Sequence, residues 1–284
     1  MILGHDKQIQ FFQERFKSRF FHHAWILKGP RGVGKFTCAL HFARDILKDE
    51  NIYANLKIIA AQDEKSISVE DVRNSLDFLT QTTIEGGWKI LVIDSIGSLN
   101  RHSQNTILKS LEEPRPKTLF LLILQNGEKI LPTISSRCIP LNFSGIEERL
   151  ISKYIQDKHE NLETSKSYAE LSGGSIGRLE TLISKDGVKL YETMVLHMIS
   201  GKISSLSGLA SKHTPLFLSE MITTIYHRSI LFQGNQNPYP IYETEARDLK
   251  SLMNMMDWRK VGDLFTRLHR AELLHLEPSS LFLV

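Results

Sequence analysis

The feature that most constrains this chain is a glycine-rich turn, Gly29-Pro30-Arg31-Gly32-Val33-Gly34-Lys35, set between an apolar run and a helical pattern. The run Ala24 to Leu27 precedes it. Ala39, Phe42, Ala43 and Ile46 follow at i, i+3, i+4, i+7 and mark one face of a helix over Gly34 to Leu47. A strand feeding a helix through such a turn aims backbone N–H groups and the helix N-terminus at one point. Phosphate can be cradled there, with Lys35 adding positive charge. The same glycines can also form a tight strand-to-helix turn that holds no ligand, so the motif fixes the fold more firmly than it fixes occupancy.

Four more apolar runs follow: Leu56 to Ala60, Ile90 to Ile93, Leu119 to Leu124 and Ile139 to Leu141. All are strongly apolar, the signature of a parallel sheet, so the first half is α/β with five parallel strands. After Asn142 the strand signals stop. Ser144 with Glu147 reads as a capping box opening a helix through Leu150 and Tyr154, which puts a boundary near residue 143. Gly173 and Gly174 break the next helical stretch, and Ser175 can cap a helix carrying Leu179, Leu182 and Ile183, making 144–186 a small helical domain. From 187 to 284 the pattern stays helical, apart from a loop over Gln233 to Pro240. Asp257 is expected to cap a last long helix with Val261, Leu264, Phe265 and Leu268 on its apolar face, and Met253, Met255 and Met256 are expected to fill core. A chain of 284 residues accommodates this division into three domains.

Composition narrows function little. A net charge of +3 does not argue for a dedicated nucleic-acid surface. Met1 to Leu3 gives way at once to His5, Asp6 and Lys7, and no apolar run is long enough to span a bilayer, so a cytoplasmic location without membrane association is expected. Cys38 and Cys138 are the only cysteines; they cannot make a four-thiolate zinc site and read as reduced, buried small hydrophobes.

The chemistry-bearing positions are incomplete. The residue after Lys35, where a hydroxyl would ligate Mg²⁺, is Phe36. Thr37 comes one residue late, rotated by about 100° around the helix. Asp94 ends the Ile90 to Ile93 run where a metal-binding carboxylate would stand, although an Asp closing a strand needs no ligand. Arg137, in Pro132-Thr133-Ile134-Ser135-Ser136-Arg137-Cys138, is by itself an ordinary solvated arginine.

The chain resembles bacterial DNA polymerase III delta-prime subunits, members of the clamp-loader AAA+ family. The resemblance is carried by His23-Ala24-Trp25, the glycine-rich turn, Ile67-Ser68-Val69-Glu70-Asp71-Val72-Arg73, Asn105 to Pro114 and Ser136-Arg137-Cys138, with Gly173-Gly174-Ser175-Ile176-Gly177-Arg178 matching the family's lid motif. It implies an AAA+ P-loop module over 1–143, a lid over 144–186 and an all-α collar over 187–284 that mediates oligomerisation. It further implies a five-subunit ring in which gamma/tau motor subunits bind ATP at interfaces, act with a delta subunit to open a sliding clamp, and place it on primer-template DNA. In that scheme delta-prime is the stator, and Arg137 acts in trans on ATP held by a neighbour. Gly29, Gly32, Gly34, Lys35, Thr37 and Asp94 would form a degenerate nucleotide site where ATP can bind weakly. Arg178 matches the sensor-2 arginine, or is a surface arginine near a helix start. Ser95 stands where the family's ATPases carry the acidic residue that polarises water, so little or no intrinsic hydrolysis is expected. The four-cysteine zinc module common in the family has no counterpart in Lys48 to Lys57, so no zinc is expected. The competing readings are an active motor-type ATPase, opposed by Phe36 and Ser95, and an unrelated P-loop enzyme such as a kinase, opposed by Leu108 to Pro114 and Ser136-Arg137-Cys138.

Overall fold

A computed structural model describes residues 2–18, 21–48, 52–60, 67–81, 87–159, 162, 164–200 and 213–255. The chain divides into two compact units, Met1–Leu150 with Gly174–Arg178, and Ile151–Gly173 with Leu179–Val284. Compactness thus groups the helices after residue 150 differently from a division at 143 and 186.

The first unit holds five strands, β1 (Ala24–Gly29), β2 (Leu56–Ala60), β3 (Lys89–Asp94), β4 (Thr118–Gln125) and β5 (Ile139–Asn142). They form one parallel sheet in the order β2-β3-β4-β1-β5. This is the α/β AAA+ fold. Successive strand side chains point to opposite faces, and along β1, β3 and β4 both faces are covered, which is why their runs read as unbroken apolar sequence, whereas the edge strands β2, which carries Lys57, and β5 are partly exposed. Trp25, Leu27, Ile90, Val92, Leu119 and Leu121 pack on one face against Phe12 and against Cys38, Ala39 and Phe42. Ala24, Ile26, Leu91, Ile93, Phe120 and Leu122 pack on the other against Val72, Leu79, Ile107, Leu111 and Cys138.

The helices around the sheet are α1 (Asp6–Lys17), α2 (Lys35–Leu47), the short α3 (Ile52–Asn55), α4 (Val69–Thr80), α5 (Arg101–Glu112) and the single turn α6 (Pro132–Ser135). The Ile67–Arg73 motif is a helix start. Ser68 Oγ accepts from Asp71 N at 3.0 Å while the Asp71 carboxylate takes the Ser68 N–H, a reciprocal capping box. Helix α5 stops at Glu112 because Pro114 disfavours helical geometry in the residue before it. Both cysteines are buried thiols, and burial pushes each up to about 12.

The second unit contains α7 (Glu148–Lys158, from Ile151 on), α8 (Ser165–Ser172), α9 (Ile176–Ser184, from Leu179 on), α10 (Gly187–Ile199), α11 (Pro215–Gln233) and α12 (Glu245–Met255). At its centre lies a buried ionic group. Arg228 on α11 donates to both carboxylate oxygens of Glu245 on α12, at 2.7 and 2.9 Å, to Glu170 on α8 at 2.8 Å and to the Tyr239 carbonyl at 2.7 Å. Glu245 also accepts from Tyr191 Oη on α10 and from Ile241 N.

Ser144 and Glu147 do not open α7, which begins at Glu148. The Ile146 N–H donates to the Gly174 carbonyl instead, so tertiary pairing takes the place of a local cap. Ser175 does cap α9, accepting from Arg178 N at 3.1 Å. Met255 does not fill core: it is 65% exposed, while Leu249 and Leu252 take the buried positions of α12. Met256, Asp257, Val261, Leu264, Phe265 and Leu268 lie outside the described residues. Among the described residues no helix is long and apolar enough to cross a membrane.

Candidate functional site

The glycine-rich turn bends from β1 into α2 through backbone that only glycine accepts easily. Gly32 and Gly34 have φ of +75° and +103°, and a β-carbon on Gly29 would fall 2.3 Å from the Phe143 carbonyl oxygen. A β-carbon on Gly32 would meet Ser175 Oγ at 2.4 Å, so the Gly174–Arg178 segment lies directly on the loop.

The loop is braced by its own chain. Lys35, only 3% exposed, turns inward and donates to the Gly29 carbonyl at 2.8 Å, to the Pro30 carbonyl and to Gln125 Oε1 at 2.6 Å. Those acceptors take up the ammonium's hydrogens. Beyond them, the Arg31 carbonyl accepts from Ser175 Oγ and the Gly32 carbonyl from Gly177 N, both at 3.0 Å. Burial lowers the Lys35 pKa to about 8, against the opposing pull of the Asp94 and Glu128 carboxylates. The ammonium therefore stays mostly charged at neutral pH. Asp94 ends β3 half-buried, and its pKa is raised by burial against the opposing influence of Lys35.

Gln125 and Glu128 were not among the residues expected from sequence. Glu128 accepts from the Ser95 hydroxyl and from Gln125 N at 2.8 Å, and its side chain fills the space where a β-carbon on Gly97 would stand. One signal pointed to Gln125: it is the single polar residue ending the apolar run of β4, at the C-terminal edge of a parallel sheet where ligands bind. Phe36, the second residue of α2, packs partly buried against the core, and Thr37 is exposed. The structure thus gathers Gly29, Gly32, Gly34, Lys35 and Asp94, with the Arg178 backbone alongside, and provides no hydroxyl at the Mg²⁺-ligand position. These residues do not fit a hydrolytic Mg²⁺–nucleotide site.

Arg137 stands elsewhere. Register pairs Trp25 with Ile139, so Arg137 lies level with the start of β1, at the N-terminal edge of the sheet. The P-loop follows the C-terminal end of β1, about 20 Å away at ~3.3 Å per residue. The guanidinium is partly exposed, donating to the Thr133 carbonyl at 2.8 Å and pairing with Glu112 at 2.7 Å.

The family model described as "DNA polymerase III, delta subunit" matches residues 4–147. The chain is 32% identical over 176 residues to the DNA polymerase III subunit delta' of Pseudomonas aeruginosa, covering 54% of this chain and 53% of that one. It is 27% identical over 304 residues to subunit tau/gamma of Haemophilus influenzae, covering 98% of this chain and 41% of that one. The chain thus spans about half or less of the length of these curated relatives. In fold it resembles a gamma subunit-related protein of Thermotoga maritima, with a TM-score of 0.55 at 14% identity over 97% of this chain and 96% of that one. With half its length matched by one family model, and with the glycine-rich turn and the Ser136-Arg137-Cys138 segment at opposite edges of a five-stranded parallel sheet, the chain belongs to the DNA polymerase III, delta subunit family of clamp-loader AAA+ proteins.

Proposed function

We propose that this chain is the delta-prime stator of a DNA polymerase III clamp loader, donating Arg137 in trans to ATP on a neighbouring gamma/tau-type subunit. The observation that carries this reading is the placement of Arg137 at the opposite edge of the sheet from its own P-loop. A side chain cannot span about 20 Å, so Arg137 can serve phosphate only on another molecule. Its own site lacks the hydroxyl at Phe36 and the acid at Ser95, and its lysine is bonded internally. Residues 144–186 would act as lid and residues 187–284 as collar, joining a delta subunit and motor subunits in a ring that handles the sliding clamp at primer-template DNA.

The motor reading draws support from the 98% of this chain aligned with a tau/gamma subunit. The two readings separate on nucleotide. With no hydroxyl ligand at position 36, ATP affinity should depend little on Mg²⁺, and turnover by the purified chain should stay near background. Calorimetric titration with and without Mg²⁺, beside a phosphate-release assay, tests this; tight Mg²⁺-dependent binding with steady turnover would establish the motor reading. A native mass measurement with motor and delta subunits tests the ring, whose absence would remove the stator assignment.

A further inference from the structure

Glu112 is the last residue of α5, and its carboxylate meets Arg137 Nη2 at 2.7 Å. A carboxylate at a helix C-terminus faces the negative end of the helix dipole, where a cation is the favoured neighbour. Arg137 is that cation. The backbone beneath the pair is firmly held. Leu111, next to Glu112, is 1% exposed, and its carbonyl accepts from His23 Nε2 at 2.9 Å. A carbonyl only accepts, so His23 carries its proton on Nε2; burial lowers its pKa and keeps the ring neutral near pH 7. On the arginine side, Ile134 and Cys138 bury on either flank of Arg137, and Nη1 is bonded to the Thr133 carbonyl.

We propose that Glu112 is a positioning residue for Arg137, holding the guanidinium in one orientation before it meets phosphate on a neighbouring subunit; this rests on the in-trans reading above. The planar fork carries five N–H donors. Glu112, Thr133 and Ser136 engage Nη1 and one side of Nη2, which leaves Nε and the second Nη2 hydrogen for a phosphate oxygen. A long arginine side chain loses rotamer freedom when it docks, and here much of that freedom is already gone. The ion pair is partly exposed, so phosphate, with its higher charge, can draw the guanidinium over without breaking a buried contact.

The test compares four reconstituted complexes, carrying the unaltered chain, E112Q, R137A and E112Q/R137A, by pre-steady-state phosphate release in the presence of primed DNA. E112Q keeps the size and polarity of the side chain and removes its charge. It should slow the phase belonging to the facing site about two- to fivefold, the range an exposed ion pair can supply. The ATP concentration for half-maximal rate should hold, and there should be no further slowing on the R137A background. Thermal unfolding of the E112Q chain alone should match that of the unaltered chain. If R137A slows the phase and E112Q does not, Glu112 has no positioning role and the in-trans reading stands. Equal slowing by E112Q with and without Arg137 would also overturn the proposal, because Glu112 would then act on something else. An R137A complex with unchanged release would remove both the in-trans arginine and its positioning residue.

Discussion

R137A is expected to fold and assemble normally, to lower DNA-stimulated ATP hydrolysis by the clamp-loader complex, and to impair clamp loading more severely than hydrolysis. Folding should survive because the side chain is partly exposed and its ion pair with Glu112 lies at the surface, where such pairs contribute about 1 kcal/mol or less. The buried anchors of this segment are Ile134 and Cys138, which the substitution leaves in place. The chemical effect is expected to be larger. A guanidinium is always charged and pairs with charge developing on a γ-phosphate, a role worth roughly 10³ to 10⁵ in rate in the strongest phosphoryl-transfer systems. Hydrolysis by the whole complex should fall by less, because other ATP sites in the proposed ring do not face this subunit. Loading requires the sites to act together and should therefore suffer more. Steady-state hydrolysis and clamp loading at limiting ATP, on complexes shown by native mass to be fully assembled, measure both. An assembled R137A complex that loads clamps at the unaltered rate would reduce Arg137 to the solvated surface residue its exposure alone suggests.

What could be read from the sequence depended on whether the determining contacts were local. The central strands β1, β3 and β4 were legible because strands covered on both faces permit little but apolar side chains. The run Leu56 to Ala60 is β2 itself, and β3 and β4 extend their runs by a polar or charged residue at each end. The turn into α2 was legible because glycine backbone requirements are local. Lys35 reaches Gln125 from 90 residues away in the chain and feels the charge of Glu128 beside it, and no local pattern places the lysine with either. The capping box at Ser144 and Glu147 misled because Ile146 donates its N–H to Gly174, a partner that only the folded chain brings near. No local pattern marks Arg228 or Glu245 for burial, yet they are 4% and 0% exposed, because each supplies the partner that makes burial of the other tolerable.

That mutual dependence leads to the largest stability effect expected in the molecule. R228M should destabilise the helical unit by about 3 to 5 kcal/mol, since methionine fills similar space but leaves the Glu245 carboxylate buried without its cation. The cost would not come from the lost pairing alone. Glu245 keeps its bonds from Tyr191 Oη and Ile241 N, but these are neutral donors, and removing a carboxylate from water without a counter-charge outweighs them. The guanidinium also ties α11 to α8 through Glu170 and to the segment before α12 through the Tyr239 carbonyl, so R228M should loosen α8, α12 and the segment that leads into α12. For a unit of this size the loss corresponds to a fall in melting temperature of roughly 10 to 20 °C. It should appear in calorimetry as a shift of one transition, with the sheet unit's transition little changed, because the affected groups all belong to the helical unit. A second substitution separates the causes. If the unpaired charge dominates, E245Q on the R228M background should recover a substantial part of the loss by removing that charge. If lost packing dominates, the double variant should be no more stable than R228M, and a melting temperature within a few degrees of the unaltered protein for R228M itself would show that the buried pair is no keystone of the helical unit.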